Sequence, residues 1–323
     1  MILVCGEALF DLFAEEDGDR LTLDARIGGS PVNVAIGLAR LNAPVSYFGA
    51  ISGDLFGRRL RTTLAAEGVR LDHVLATDAP TTLSIVGLNA TGSPEYTFHG
   101  DGAADRQVRP EDLPDLPPEI ACIHIGSFAM LVPPVGDSLA ALVAREHGRR
   151  MIAYDPNIRP TVVADLAAWR ARLGALLPHV DLLKISGEDL ATLYPDQDAA
   201  ALAAAWLGKG PSLVVVTHGP DGAEAFTRTA HVAIPGHPVA VVDSVGAGDS
   251  FQAAMLARLA ERGQLSAAAL ARLEAGDLGD LLHFAAGAAA LTCTRRGADL
   301  PRHAELANAC HPAPLPVSAT RGP

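Results

Sequence analysis

Asp243-Ser-Val-Gly-Ala-Gly-Asp-Ser-Phe251 decides how the rest of the chain is read. An apolar run, residues 239–242, precedes it, and Phe251-Gln-Ala-Ala-Met-Leu-Ala-Arg-Leu259 follows. That order predicts a strand, a glycine loop and a helix. Gly246 and Gly248 allow a tight turn and the close approach of a ligand, because neither carries a Cβ. The amides of the loop and of the first helical turn then converge. A helix N-terminus adds unpaired donors and the positive end of its dipole, so the stretch predicts an anion site. Asp249 stands at the same point. A carboxylate there is poorly suited to storing phosphate and well suited to taking a proton while phosphate is transferred. Alone, it also reads as an ordinary acid at a helix start.

The chain has 323 residues, 49% of them hydrophobic, and a net charge of −12. That length holds one large α/β domain or two small ones, with a sizeable core. The acidity argues against nucleic acid or an anionic membrane as the main partner. The substrate is expected to be small, with any anion it carries held by local donors. Cys5, Cys122, Cys293 and Cys310 form no CxxC pair and no zinc spacing. They read as reduced thiols of a cytoplasmic protein. Residues 2–5 already read as a strand, with no basic region or long apolar segment, so neither a signal peptide nor a membrane span is expected.

Gly6-Glu-Ala-Leu-Phe-Asp11 follows that first strand and sets an acid beyond its end. Residues 11–26 are polar and read as an exposed hairpin. Gly28-Gly-Ser-Pro-Val-Asn33 opens a helix, with Pro31 suited to its first turn. A strand is expected over 47–51, and Asp54 caps a helix reaching Glu67. Residues 82–88 and 95–99 alternate around a turn cluster at 89–94, which predicts an antiparallel hairpin. Residues 72–107 are therefore assigned, with 11–26, to a small separate sheet. Beyond 120, apolar runs at 120–125, 151–154, 181–185 and 213–217 alternate with helical stretches at 138–147, 163–176 and 199–207. This implies a parallel sheet covered on both faces. Residues 223–242 read as further antiparallel strands at the sheet's end, 281–292 as a helix, and 311–323 as a Pro-rich tail after a domain spanning 1–310.

Ligands of open α/β sheets bind beyond the carboxyl ends of the strands. Polar or glycine-rich stretches fall there: Gly6 onward, Asp155-Pro-Asn-Ile-Arg159, Lys184-Ile-Ser-Gly-Glu-Asp189, Thr217-His-Gly-Pro-Asp-Gly222 and Asp243 onward. With these on the page, a resemblance emerges. Gly246-Ala-Gly-Asp249 resembles the C-terminal signature of ribokinase-like, phosphofructokinase-B type, carbohydrate kinases, and Gly28-Gly-Ser-Pro-Val-Asn33 resembles their N-terminal one. The likeness runs from Ile2 to about Pro301. Asp155-Pro-Asn-Ile-Arg159, Gly102-Ala-Ala-Asp105 and Cys293-Thr-Arg-Arg-Gly-Ala298 are similar to stretches of bacterial fructokinases. The implied fold is α/β, a three-layer αβα sandwich with a mostly parallel central sheet and a small β lid.

The resemblance implies roles residue by residue. Asp249 takes the proton of a sugar hydroxyl attacking the γ-phosphorus of ATP, and the Ala247, Gly248 and Asp249 amides, with Gly246 in the same signature, form the anion hole. Asp11 binds sugar hydroxyls with Gly28, Gly29 and Asn33; by themselves Asp11 reads as a strand-end acid and Asn33 as a loop support. Arg159 reaches phosphate or an acidic sugar, or is a surface arginine, and Asp155 and Asn157 also read as turn formers around Pro156. Asp105 and Arg106 read equally as lid residues and as a surface pair. Lys184, Ser186, Thr217, Gly219, Gly222 and Gly248 are nucleotide contacts; Lys184 also reads as a snorkelling surface lysine. Ser186 and Asp189, with Glu188 adjacent, stand where the family often has Asn-x-x-Glu, which orders Mg²⁺ through water. Ala286 and Ala289 leave room for adenine or simply pack a helix. Backbone carbonyls near Asp243, Val245 and Gly297 are expected around a monovalent cation, K⁺.

The expectation is thus an ATP- and Mg²⁺-dependent fructokinase, forming a homodimer through the lid. The alternatives are a 2-keto-3-deoxygluconate kinase, another sugar or nucleoside kinase of the family, or a non-catalytic sugar- or nucleotide-binding protein. There is no GxxxxGK[ST], no GxGxxG after the first strand and no HExxH. These absences argue against a P-loop enzyme, a dinucleotide dehydrogenase and a zinc protease.

Overall fold

The computed structural model describes residues 1–88 and 94–309. Residues 89–93 of the expected turn cluster, Cys310 and the tail expected from 311 lie outside the described residues. The chain runs β1 (Ile2–Cys5), β2 (Leu9–Asp17), β3 (Arg20–Gly28), α1 (Ser30–Arg40), β4 (Val45–Phe48), β5 (Ala50–Ser52), α2 (Leu55–Ala66), β6 (Leu75–Thr77), β7 (Thr82–Leu88) and β8 (Pro94–His99). It continues with β9 (Cys122–Gly126), α3 (Val135–Glu146), β10 (Met151–Asp155), α4 (Leu166–Leu176), β11 (Leu182–Ser186), α5 (Gly187–Leu193), α6 (Ala199–Leu207), β12 (Leu213–Thr217), β13 (Ala223–Phe226) and β14 (His231–Ile234). The last elements are α7 (Ala247–Glu261), α8 (Ala267–Leu270), α9 (Ala275–Cys293) and α10 (His303–Ala309).

Eight strands form the main sheet in the order β14-β13-β12-β11-β10-β9-β1-β4. The pairs from β12 to β4 are parallel, and β13 and β14 close one edge in antiparallel fashion. Side chains of a strand alternate between faces, so each strand feeds two cores. Ile2 and Val4 join Val215 and α1, α7 and α9 on one face. Leu3 and Cys5 join Val214, Val216 and α3, α4 and α6 on the other. These are the three layers expected of an αβα sandwich. Helix starts follow local chemistry: Asp54, Asp165 and Asp198 accept backbone N–H bonds at the N-termini of α2, α4 and α6. Cys5 and Cys122 are buried free thiols, and Cys293 is free and half-buried.

A second sheet of four strands, in the order β3-β2-β7-β8, stands apart. Its outer pairs are antiparallel and its central β2–β7 pair is parallel. These strands fall where the hairpins at 11–26 and 82–99 were expected. The assignment of all of 72–107 to that sheet needs correcting, because β6 pairs with β5 in a two-stranded sheet of its own. The single strand expected over 47–51 likewise divides at Gly49, where a Cβ would stand 2.6 Å from Gly6 O. β4 stays in the main sheet and β5 leaves it.

A larger correction concerns residues 239–242, expected as a strand. They form none. Val239, Val241 and Val242 are exposed, and the Val242 and Asp243 amides bond Cys293 O at the end of α9. Pro235 and Pro238 stand between β14 and the run, and proline cannot donate to a ladder, so β14 is not extended into it. The last strand is β14, so a long loop, not a strand, delivers the glycine turn to α7.

Candidate active site

Two helix N-termini meet at the carboxyl edge of the main sheet. Gly29 caps α1 at φ 98°, and Pro31 lies in that helix's first turn. The short start of α1 aims Ser30 and Asn33 at the first turn of α7. There Asp249 Oδ1 accepts from Ser30 Oγ at 2.6 Å, and Oδ2 accepts from Asn33 Nδ2 at 2.8 Å. Both carboxylate oxygens are fixed, and Asp249 is buried. Burial raises its pKa above the usual aspartate value, opposed by the Ser30 and Asn33 bonds and the charge of Arg159, while Asp155 adds to the rise.

Gly246 caps α7 in the left-handed region at φ 78°. A Cβ there would stand 2.6 Å from Ala298 Cβ, so both the conformation and the space require glycine. The Ala247 amide closes the turn on Ser244 O at 3.2 Å and Ser250 N–H bonds Gly246 O. Among the described residues no backbone carbonyl accepts from Gly248 or Asp249 N–H. The expected anion hole thus narrows from three amides to these two. Lys184 supplies a further charge. It is only 3% exposed, which excludes a snorkelling surface lysine. Its Nζ lies 3.2 Å from where a Gly248 Cβ would be and 2.8 Å from Asp155 Oδ2. Asp155 is therefore the partner of a buried ammonium, not a turn former alone, and its Oδ1 is unpartnered.

Asp11 lies within β2 and overhangs Gly28, where a Cβ would collide with Asp11 Oδ2 at 2.2 Å. Burial raises the Asp11 carboxyl, Arg159 opposes that and Asp249 adds to it. One cation thus acts on both carboxylates. Arg159 itself is exposed, and its Nη1 donates to Ile158 O. Asn157, two residues before it, holds φ at 41° and leaves its buried Nδ2 unpartnered. Asp105 is buried, with Thr82 Oγ1 donating to Oδ1 at 2.6 Å, so the surface-pair reading fails for it. Burial pushes it up to about 6. Glu7, also buried, is pushed up to about 8 by desolvation.

Ser186 caps α5 by accepting from Asp189 N–H at 3.0 Å. Asp189 is buried and accepts from Ile158 N–H; burial, then Asp155, pushes it up to about 6. Glu188 points to the exposed side. Thr217 ends β12, and Gly219 and Gly222 hold φ at 57° and 110° in the turn that follows. His218 Nε2 pairs with Glu224 Oε1. Asp243 ties together the residues expected at a cation site: it accepts from Val245 N–H at 3.0 Å and Gly297 N–H at 2.8 Å. Ala286 and Ala289 pack against the core while half-buried on α9.

Residues 1–305 match the family model of the pfkB family carbohydrate kinases. The chain belongs to this family. The kinase is 39% identical to the fructokinase of Rhizobium leguminosarum bv. trifolii over 264 residues, covering 80% of this chain and 79% of that one. It is 35% identical to the Klebsiella pneumoniae fructokinase over 265 residues, covering 81% and 85%. The structure of Xylella fastidiosa fructokinase with bound ATP superposes with a TM-score of 0.88 at 30% identity, covering 95% and 97% of the two chains. Vibrio cholerae O395 fructokinase, bound to fructose, ADP and calcium ion, superposes with a TM-score of 0.81 at 28% identity over 95% and 97%.

Several residues of the candidate site escaped the sequence reading. Ser30 sits inside the quoted glycine motif, yet nothing local says that its hydroxyl meets Asp249. Asp155 was visible at a strand end, but its pairing with Lys184 was not. Glu7 stands beside Gly6 as an apparently ordinary acid. Each acquires its role from a neighbour on another strand or helix.

Proposed function

We propose that the kinase transfers the γ-phosphate of ATP to a hydroxyl of D-fructose, giving fructose 6-phosphate. The observation that carries this is Asp249: a buried carboxylate held at both oxygens, in the same helical turn as two free amides and beside the Lys184 ammonium. The fructokinase relatives support fructose as the acceptor. Asp11, Gly28, Gly29 and Asn33 hold the sugar, and Asp249 takes the proton of the attacking hydroxyl. A carboxylate is a weak base for an alcohol, but phosphoryl transfer is loose and the proton leaves late. Gly248 N–H, Asp249 N–H and Lys184 bear the charge developing on the transferred group. Gly246 sets the turn, and Lys184, Ser186, Thr217, Gly219 and Gly222 line the nucleotide's path.

The site is rich in acids, with Glu7, Asp11, Asp105, Asp155, Asp189 and Asp249 facing Lys184, Arg106 and Arg159. Admitting a polyphosphate there calls for a cation. Among the described residues no group of three or more His, Cys, Asp or Glu is placed to hold one. That fits Mg²⁺, which keeps several waters and rides on substrate phosphates with one or two carboxylates. Asp189 and the open Asp155 Oδ1 would hold it, while the exposed Glu188, expected beside it, faces away, and the ion would supply charge neutralisation. K⁺ belongs beside the Asp243, Val245 and Gly297 backbone. The protein acts in the cytoplasm, as a homodimer joined through the lid sheet.

A coupled ADP-release assay over a sugar panel tests the reading. Fructose turnover yielding fructose 6-phosphate is expected, faster in KCl than in LiCl. Turnover of 2-keto-3-deoxygluconate without turnover of fructose would transfer the assignment to the acid sugar, with Arg159 as its carboxylate partner.

A further inference from the structure

The inner face of the small sheet carries a row of cross-strand neighbours. Asp11 on β2 pairs with Arg26 on β3 and with Ser84 on β7, and Ser84 pairs with Phe98 on β8. Directly opposed residues share a face, so Arg26, Asp11, Ser84 and Phe98 point the same way. Asp11 overhangs Gly28, and Phe98 meets Phe128 of the body edge-on at 6.3 Å. Ser84 therefore lies in register between the Asp11 carboxylate and the Phe98 ring that meets the body.

Its hydroxyl is anomalous there. Ser84 is fully buried, and its Oγ has no hydrogen-bond partner. Thr82, one step back on the same face, is equally buried but donates to Asp105. A hydroxyl taken from water without a partner is costly in the empty protein. The acceptor nearest in register is Asp11, and hydrogen bonding toward the Ser84 hydroxyl lowers that carboxyl's pKa, but the two make no hydrogen bond within normal distance and angle. Asn157 Nδ2, Glu7 Oε2, Asp105 Oδ2 and Asp155 Oδ1 are also buried and unpartnered. Such a concentration of open polar atoms suits a ligand that brings several hydroxyls.

We propose that Ser84 is a specificity-determining residue whose hydroxyl bonds a non-reacting hydroxyl of the sugar, next to the one held by Asp11. The inference rests on the fructokinase reading above. Asp249 faces the reacting hydroxyl, and Asp11 lies within reach of its field. Ser84 sits one strand beyond Asp11, so it addresses the part of the ring away from the reacting oxygen.

The test compares wild type and Ser84→Ala on fructose and on its 1-deoxy, 3-deoxy and 4-deoxy analogues. The variant should lose about five- to tenfold in kcat/KM on fructose, mostly through KM, as for one neutral hydrogen bond. On the analogue lacking the contacted hydroxyl the two proteins should be equal, with the full loss on the other two. The thermal midpoint of unliganded Ser84→Ala should match or exceed that of wild type, because an unpartnered polar atom has been removed. No loss on fructose, equal losses on every analogue, or a lowered midpoint with uniform losses would overturn the proposal. A wild-type protein that phosphorylates no sugar would instead overturn the underlying function, a separately visible result.

Discussion

At the scale of single residues, the site is governed by how carboxylates are held. Asp249 is buried yet bonded at both oxygens, so its geometry survives isosteric replacement while its basicity does not. Asp249→Asn should lower kcat by about 10²–10⁴-fold, the usual share of a general base, with ATP affinity nearly unchanged by calorimetry. Wild-type kcat/KM should fall as pH drops, because only the ionised form takes a proton. Burial raises the Asp249 pKa, so that acid limb should lie above the range of a free aspartate and be absent from the residual activity of the variant. Retained turnover would remove Asp249 from the base role. These behaviours follow from partners distant in sequence: Ser30 and Asp249 are separated by 219 positions.

Among the elements, α7 matters most, and its first turn depends on Gly246. The left-handed φ and the approach to Ala298 leave no room for a methyl group. Gly246→Ala should displace the Gly248 and Asp249 amides and cut kcat by about 10²-fold, the scale of a small misplacement, with an unchanged far-UV dichroism spectrum. Gly68→Ala is the control. Gly68 also has positive φ, at 89°, but no atom lies within 4 Å of its Cβ position. It should cost stability and leave kcat alone; equal kcat losses would show that backbone strain alone explains the Gly246 effect. The helix and its glycines were legible in the sequence because turn geometry and capping act over a few residues. The element before α7 was not. A valine-rich run reads as a strand on propensity, but strand formation needs a partner edge, and residues 239–242 have none.

For the whole molecule, the small sheet stands apart from the large one, with β3 and β8 at its edges among the described residues. Leu21 and Leu23 on β3 are 64% and 45% exposed. Unpaired strand edges with apolar side chains invite pairing with a second copy. Light scattering should give a dimer, and Leu21→Lys with Leu23→Lys should shift it to monomer; a monomeric wild type would remove the lid interface. The alternation of apolar runs and helices, the cap at Asp54 and the two glycine motifs were determined by the sequence itself. Each rests on spacing within one element or between successive ones. Tertiary structure alone decided that Asp155 neutralises Lys184, that Ser30 and Asn33 hold Asp249, that β5 leaves the main sheet, and that Ser84 is buried without a partner. A hydrogen bond or ion pair between strands depends on which residues the sheet order brings side by side, and local pattern does not encode that order.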